Sequence, residues 1–129
     1  MVNDERVILD LFVLVLRESF NDIEIRCFED SGAALEELSK SSPDLLITDD
    51  TMAGISGQDL CRILFARKIK YPIIVDSAWE PTELWVREFA NRGCQVSLLR
   101  VPCNIQEIVK AVETALKIQR RAGQDARLQ

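Results

Sequence analysis

The chain has no histidine. That absence removes Ser-His-Asp and Cys-His nucleophilic pairs, His-ligated zinc, haem and iron, and imidazole as a general base. Carboxylates, hydroxyls, Lys, Arg and Cys are left to carry any chemistry. Cysteine is sparse: Cys27, Cys61, Cys94 and Cys103 form no C-x-x-C pair, which argues against a zinc ribbon or a dithiol redox site. Each lies in or beside an apolar stretch, where a reduced thiol acts as a small hydrophobe. Long hydrophobic runs are lacking too, because the apolar stretch 7–16 is interrupted by Asp10 and is too short to span a bilayer. The opening Met1-Val2-Asn3-Asp4-Glu5-Arg6 has no positively charged start of a signal peptide, so a cytoplasmic setting is expected. Basic residues are outnumbered, 16 against 21 acidic, for a net charge of −5. That sign argues against direct nucleic-acid binding or an anionic membrane surface, since phosphate neutralisation needs a basic face.

What is present fits one globular domain. The 129 residues are 47% hydrophobic and 29% charged, and short β-type runs alternate with longer helical patterns. This rhythm predicts βαβ units around a parallel sheet. The strands are expected at 23–28, 45–49, 73–77 and 96–100. The triplets Leu45-Leu46-Ile47 and Ile73-Ile74-Val75 suit strands covered on both faces, whereas Ile23, Ile25 and Cys27 alternate with Glu24 and Arg26 as on a half-exposed edge. Helices are expected at 32–39 behind a Ser31 cap, at 57–67 behind Ser56, at 82–91 beside Pro81, and from Asn104 onward with Glu107 completing a capping box. Ile105, Ile108, Val109, Val112 and Leu116 then form one stripe, and 118–129 reads as a polar tail or linker beyond a domain of residues 1–117.

A further helix is expected over 5–19, apolar on nearly every side. It is either deeply buried or packed against a second subunit, and a homodimer covering leftover side chains of this helix is the sharper expectation.

Several segments end in polar or acidic residues: Asn3-Asp4-Glu5, Asp49-Asp50, Asp76-Ser77 and Arg100. In an open parallel α/β sheet the carboxyl ends of strands form the binding crevice. Carboxylates converging there repel one another unless a cation joins them, and a hard ion such as Mg2+, completed by waters and a phosphate, suits such ligands. The residues alone therefore indicate a metal-assisted acidic site that receives a phosphoryl group.

The run from Pro43 through Asp49-Asp50-Thr51-Met52-Ala53-Gly54-Ile55-Ser56-Gly57 resembles the third strand and following loop of two-component response-regulator receiver domains, with their D-x-x-M-P-G-M-D-G pattern. Val2-Asn3-Asp4-Glu5 resembles the V-D-D-E segment, Ile73-Ile74-Val75-Asp76-Ser77-Ala78 the strand ending in Thr/Ser-Ala, and Val101-Pro102-Cys103-Asn104 the K-P-F-D segment. The resemblance spans about residues 2–117. It implies a flavodoxin-like α/β fold, a doubly wound parallel five-stranded sheet of order 2-1-3-4-5 in three helix-sheet-helix layers.

The resemblance further implies that Asp49 is the phosphoacceptor, taking a phosphoryl group from a sensor histidine kinase or another phosphodonor. By the same carry-over, Mg2+ is held by Asp4, Asp49, the Thr51 backbone carbonyl and the neighbouring Asn3, while Ser77 hydrogen-bonds the new phosphoryl oxygen. Such a module switches an output surface and catalyses at most its own phosphorylation and dephosphorylation. Strict pairing places Val101 where the family has a phosphate-binding Lys, with Arg100 one residue earlier as the candidate cation, although strand alternation points Arg100 to the other face. Asn3 stands for an acid, Ala53 for Pro, and Leu98 or Ser97 for the aromatic switch residue. These departures support an alternative: a pseudo-receiver acting as a phosphorylation-independent interaction or dimerisation module, with Trp79 and Trp85 near its output face.

The start of the chain is unusual for this order, because only Met1 and Val2 precede Asn3 where a central strand is expected. A late start, residues 6–11 serving as the strand with Asp10 as its acid, and a strand donated by another chain are the three options; the spacing between Asp4 and Asp49 favours the first. Two enzyme signals fail on context. The C-x5-R spacing of Cys94 to Arg100 lies in a strand rather than a Gly-rich phosphate cradle. Asp49-Asp50-Thr51 places its second Asp one residue too early for a D-x-D-x-T phosphatase.

Overall fold

A computed structural model describes the backbone of residues 1–128 and the side-chain surroundings of residues 1–117. In chain order the elements are α1 (Arg6–Ser19), α2 (Ser31–Lys40), β1 (Leu46–Asp49), α3 (Gly57–Ala66), β2 (Ile73–Ser77), α4 (Pro81–Asn91), β3 (Val96–Arg100) and α5 (Ile105–Leu128). The three strands form one parallel sheet in the order β1-β2-β3, with Leu46 opposite Ile73 and Ile73 opposite Val96. Every residue of β2 is buried, as its uninterrupted apolar triplet requires of a strand covered on both faces.

Strand alternation sends side chains into two apolar cores, one on each side of the sheet. Leu46, Ile73 and Val75 meet Ala34 of α2, Leu60 and Leu64 of α3, and Trp85 and Val86 of α4. Ile47, Ile74 and Leu99 meet Phe12, Val15 and Leu16 of α1 and Ile108, Val112 and Ala115 of α5. This is a helix-sheet-helix sandwich.

The strand expected at 23–28 is not formed. Only Phe28 pairs, through a single parallel bridge to Val2, and Val2 bridges Thr48 on its other side. Four backbone hydrogen bonds hold this seam: Val2 N–H to Ile47 O (2.8 Å), Asp49 N–H to Val2 O (2.9 Å), Phe28 N–H to Met1 O (2.8 Å) and Asn3 N–H to Phe28 O (3.0 Å). A ladder needs a neighbour along its length, and Met1 and Val2 provide one for a single residue pair. Further from the seam the 21–26 segment and β1 diverge around a groove of about 840 Å³, walled by Leu16, Phe20, Ile25, Leu45 and Ile47. In place of the expected five-stranded sheet of order 2-1-3-4-5, the structure has three strands and two isolated bridges. Residues 6–11 lie in α1 and do not serve as a strand.

The helix ends follow local chemistry with one correction. Ser56 Oγ accepts from Asp59 N–H (3.1 Å) and Asn104 Oδ1 from Glu107 N–H (2.8 Å), as expected of caps. At α2 the cap is Asp30, whose Oδ2 accepts from Ala33 N–H (3.0 Å). Ser31 is instead fully buried, and its hydroxyl accepts from Ile55 N–H (3.1 Å) in the loop after β1. The backbone of α5 continues as helix through the polar segment after Lys117 to Leu128. Helix α1 buries Leu9, Phe12, Val15 and Leu16 but leaves Val7, Leu11 and Leu14 exposed at 77%, 48% and 58%. Among the described residues no helix is long and apolar enough to cross a membrane.

Candidate functional site

The carboxyl ends of β1 and β2 carry the acids. Asp49 closes β1, and the parallel register sets it beside Asp76 of β2. Asp49 is half-buried, with its Oδ1 accepting from Asp50 N–H at 2.8 Å. Burial, followed by repulsion from Asp4 and Asp50, holds its carboxyl above the ordinary range against the pull of backbone N–H groups at Asp50 and Thr51. Asp4 reaches the same edge from the N-terminal segment, where its Oδ2 accepts from Ala53 N–H (3.3 Å) in the loop after β1. The structure therefore brings Asp4, Asp49 and that loop together.

The loop is held close by Gly57, which opens α3 directly against the β1 end. A Cβ there would lie 2.3 Å from Asp49 O and 2.7 Å from Asp50 Cα, so no larger residue fits without moving the backbone that carries Asp49. Gly57 N–H closes the turn on Asp50 O at 2.8 Å.

Asn3 is buried, and its Oδ1 accepts from Glu5 N–H (2.9 Å), so this side chain is spent on the chain entering α1. Arg100 does not join the acids. It is opposite Ser77 in the register, and its guanidinium bonds Glu83 of α4, as strand alternation requires. Trp79 is 57% exposed, whereas Trp85 is buried.

Sequence reasoning places Asp50 and Asp76 at strand ends but misses two features of their surroundings. Asp76 is buried on the α1/α5 side, and burial, with Asp49 as second cause, pushes its carboxyl up to about 7. The other is a buried polar network around Asp50. Its Oδ2 accepts from Thr82 Oγ1–H (2.5 Å) and Trp85 Nε1–H (3.1 Å), and its Oδ1 accepts from Gln58 N–H (3.3 Å). Ser77 Oγ lies 2.9 Å from Thr82 Oγ1 and accepts from Trp79 N–H at 3.0 Å. Asp50, Ser77, Thr82 and Trp85 are all at most 5% exposed. An available signal was the spacing of Thr82 and Trp85, which places both on one face of a helix beginning at Pro81.

A profile described as "Response regulator receiver domain" matches residues 1–113. The chain belongs to the response-regulator receiver family. Among relatives of this receiver domain, the uncharacterized transcriptional regulatory protein YesN of Bacillus subtilis is 30% identical over 114 residues, covering 88% of this chain and 30% of YesN. The transcriptional regulatory protein CreB of Escherichia coli is 34% identical over 74 residues, covering 57% of this chain and 31% of CreB. The receiver domain thus spans less than a third of these curated relatives. In solved structures the same fold is seen in NtrX from Brucella abortus, with TM-score 0.83, 22% identity and coverage of 99% of this chain and 28% of that one. A response regulator receiver domain protein from Clostridium thermocellum superposes with TM-score 0.80 at 22% identity, each chain covered to 94%. This receiver fold is flavodoxin-like, and the module is a component of two-component signalling.

A divalent ion can be tested against the residues present. Among the described residues no group of three or more His, Cys, Asp or Glu gathers as a metal cage. Asp4 and Asp49 instead form a pair whose charges oppose each other, next to the loop after β1. Two carboxylates are a hard, incomplete oxygen set that suits an ion keeping several of its waters, so the residues fit Mg2+.

Proposed function

We propose that this receiver domain accepts a phosphoryl group on Asp49 from a phosphohistidine of a sensor kinase, or from a small phosphodonor, and changes the surface it presents to an output partner. The observation that carries this reading is the meeting of Asp4 and Asp49 at the β1 end, where Asp4 reaches across to the loop that follows Asp49. An Asp49 carboxylate oxygen attacks phosphorus, the P–N bond of the donor breaks, and the departing imidazole keeps the bonding electron pair. With no histidine of its own, the domain takes the phosphoryl group rather than generating the donor. Mg2+, held by Asp4, Asp49 and the Thr51 carbonyl, supplies charge neutralisation when bound.

Positioning and charge do most of the work in phosphoryl transfer, and the rigid turn closed by Gly57 provides the positioning. Ser77, at the end of the adjacent strand, is the hydroxyl available to a phosphoryl oxygen. Arg100 is tied to Glu83, leaving no side-chain cation of β3 in the role of the family Lys. The 2-1-3-4-5 order belongs to this reading, supported by the bridges from Phe28 to Val2 and from Val2 to Thr48 beside the three-stranded sheet.

The test is mass spectrometry after incubation with Mg2+ and acetyl phosphate. One phosphoryl group is expected on the parent protein and none on Asp49→Ala. An unmodified parent protein at saturating donor and metal overturns the reading in favour of a phosphorylation-independent module.

A further inference from the structure

The network linking Asp50, Thr82 and Ser77 has a fixed direction. A carboxylate can only accept, so the single hydroxyl proton of Thr82 goes to Asp50 Oδ2. Thr82 has no second proton, and the 2.9 Å contact between the two hydroxyls therefore has Ser77 as donor and Thr82 as acceptor. The Ser77 proton is thereby turned toward α4, while Ser77 Oγ is further pinned by Trp79 N–H.

Resting on the reading of Asp49 as phosphoacceptor, we infer that Asp50 and Thr82 are positioning residues that hold the Ser77 hydroxyl away from Asp49 in the unmodified domain, so that phosphorylation must break the Ser77–Thr82 hydrogen bond. The restraint is internal to the fold. Asp50 is tied to β1 by its own backbone and bonded by the Trp85 indole, so the anion that orients the chain of hydroxyls cannot swing out to water. Low dielectric around these buried groups strengthens such a chain when all its members are satisfied. Thr82 is in the first turn of α4, so releasing Ser77 also removes one of its ties to that helix. The device thus couples the phosphoacceptor end of β1 to the start of α4 without a lysine or an aromatic switch residue.

Three variants test this. Thr82→Val is nearly isosteric but removes the acceptor. Asp50→Asn keeps its amide oxygen toward Thr82 and the Trp85 indole, whose N–H can only donate, and so keeps the relay. Thr82→Ser keeps the relay. Binding of beryllofluoride with Mg2+ would be titrated by tryptophan fluorescence, and amide exchange at Trp79 followed by NMR without either ligand.

Thr82→Val is expected to bind about threefold to tenfold more tightly than the parent, the worth of one neutral hydrogen bond no longer broken. In that variant the Trp79 amide should exchange faster because Ser77 is free to turn, and Thr82→Ser and Asp50→Asn should match the parent in both measurements. Unchanged or weaker binding by Thr82→Val, with a responsive parent, overturns the inference. If no protein binds beryllofluoride, the phosphoacceptor reading falls. Trp79 exchange then decides the positioning claim alone: faster exchange in Thr82→Val supports it and unchanged exchange overturns it.

Discussion

Trp85, in the second turn of α4, donates its indole N–H to Oδ2 of Asp50 at 3.1 Å, and both residues are buried. The partner is an anion that follows Asp49 directly, so this one bond joins a helix to the turn at the end of β1. Phe89 meets the same indole edge-on, with ring centroids 6.0 Å apart. Replacing Trp85 by Phe keeps an aromatic ring for that contact but leaves Asp50 with one donor fewer. The expected cost is about 1–3 kcal/mol, typical of a buried charged acceptor losing a partner. Urea denaturation of the parent protein and Trp85→Phe checks it; equal stability would show that the bond adds nothing.

Asp76 sets the pH dependence. Its folded value of about 7 lies above the ordinary 3.8, so between these limits the folded state retains a proton that the unfolded state has released. Stability from this group is therefore fully present below about pH 4, declines as pH rises toward 7, and levels off above it. Asp49, also raised, acts in the same direction. Asp76→Asn removes the larger part of this decline. Its stability at pH 8 in a chelating buffer should exceed the parent's by on the order of 2–4 kcal/mol, with near equality at pH 4. Denaturant melts across that range measure the difference, and parallel curves would refute the assignment.

Gly57→Ala tests the closeness of α3 to β1. The added methyl meets the Asp49 carbonyl and the Asp50 Cα, neither of which is the end of a flexible side chain. Overpacking of this kind costs about 1–3 kcal/mol. The shift it forces falls on the backbone that presents Asp49, so phosphoryl uptake should drop together with the melting temperature. Retained uptake in a destabilised variant would mean that the turn moves without disturbing Asp49.

The exposed stripe of α1 predicts self-association. Val7, Leu11 and Leu14 are spaced at i, i+4 and i+7 and lie on one face of the helix, away from the buried set. Full burial of one such side chain contributes about 1.5–3 kcal/mol, which favours a second copy as its cover. Light scattering should show a dimer that Leu11→Glu converts to monomer with an unchanged melting temperature. A monomeric parent protein at high concentration would remove the idea.

The legible parts of this fold were those written in adjacent residues. The apolar triplets at 45–47 and 73–75 marked strands buried on both faces, and Asn104 with Glu107 marked the start of α5. Residues 23–28 had the alternation of a strand, yet a strand also needs a partner along its length, and periodicity carries no information on that. Ser31 reads as a cap because it precedes an apolar run; Asp30 is a stronger acceptor and takes the role, which frees Ser31 for Ile55.

The acids of the site were legible because they sit at strand ends. The bond between Thr82 and Asp50 was not, since it spans 32 positions and depends on how α4 docks.

The seam at Val2 has a further consequence. Two backbone hydrogen bonds join Phe28 to residues 1 and 3, two more join Val2 to β1, and a groove lies beside them. Such a joint is a place where the domain opens locally at lower free energy than it unfolds. Asp4 is two residues from that joint, so an opening there draws one acid away from the other. A cation held by Asp4 and Asp49, as proposed above, would oppose that opening, and added Mg2+ should then raise the hydrogen-exchange protection of the Phe28 and Asp49 amides more than the melting temperature of the sheet.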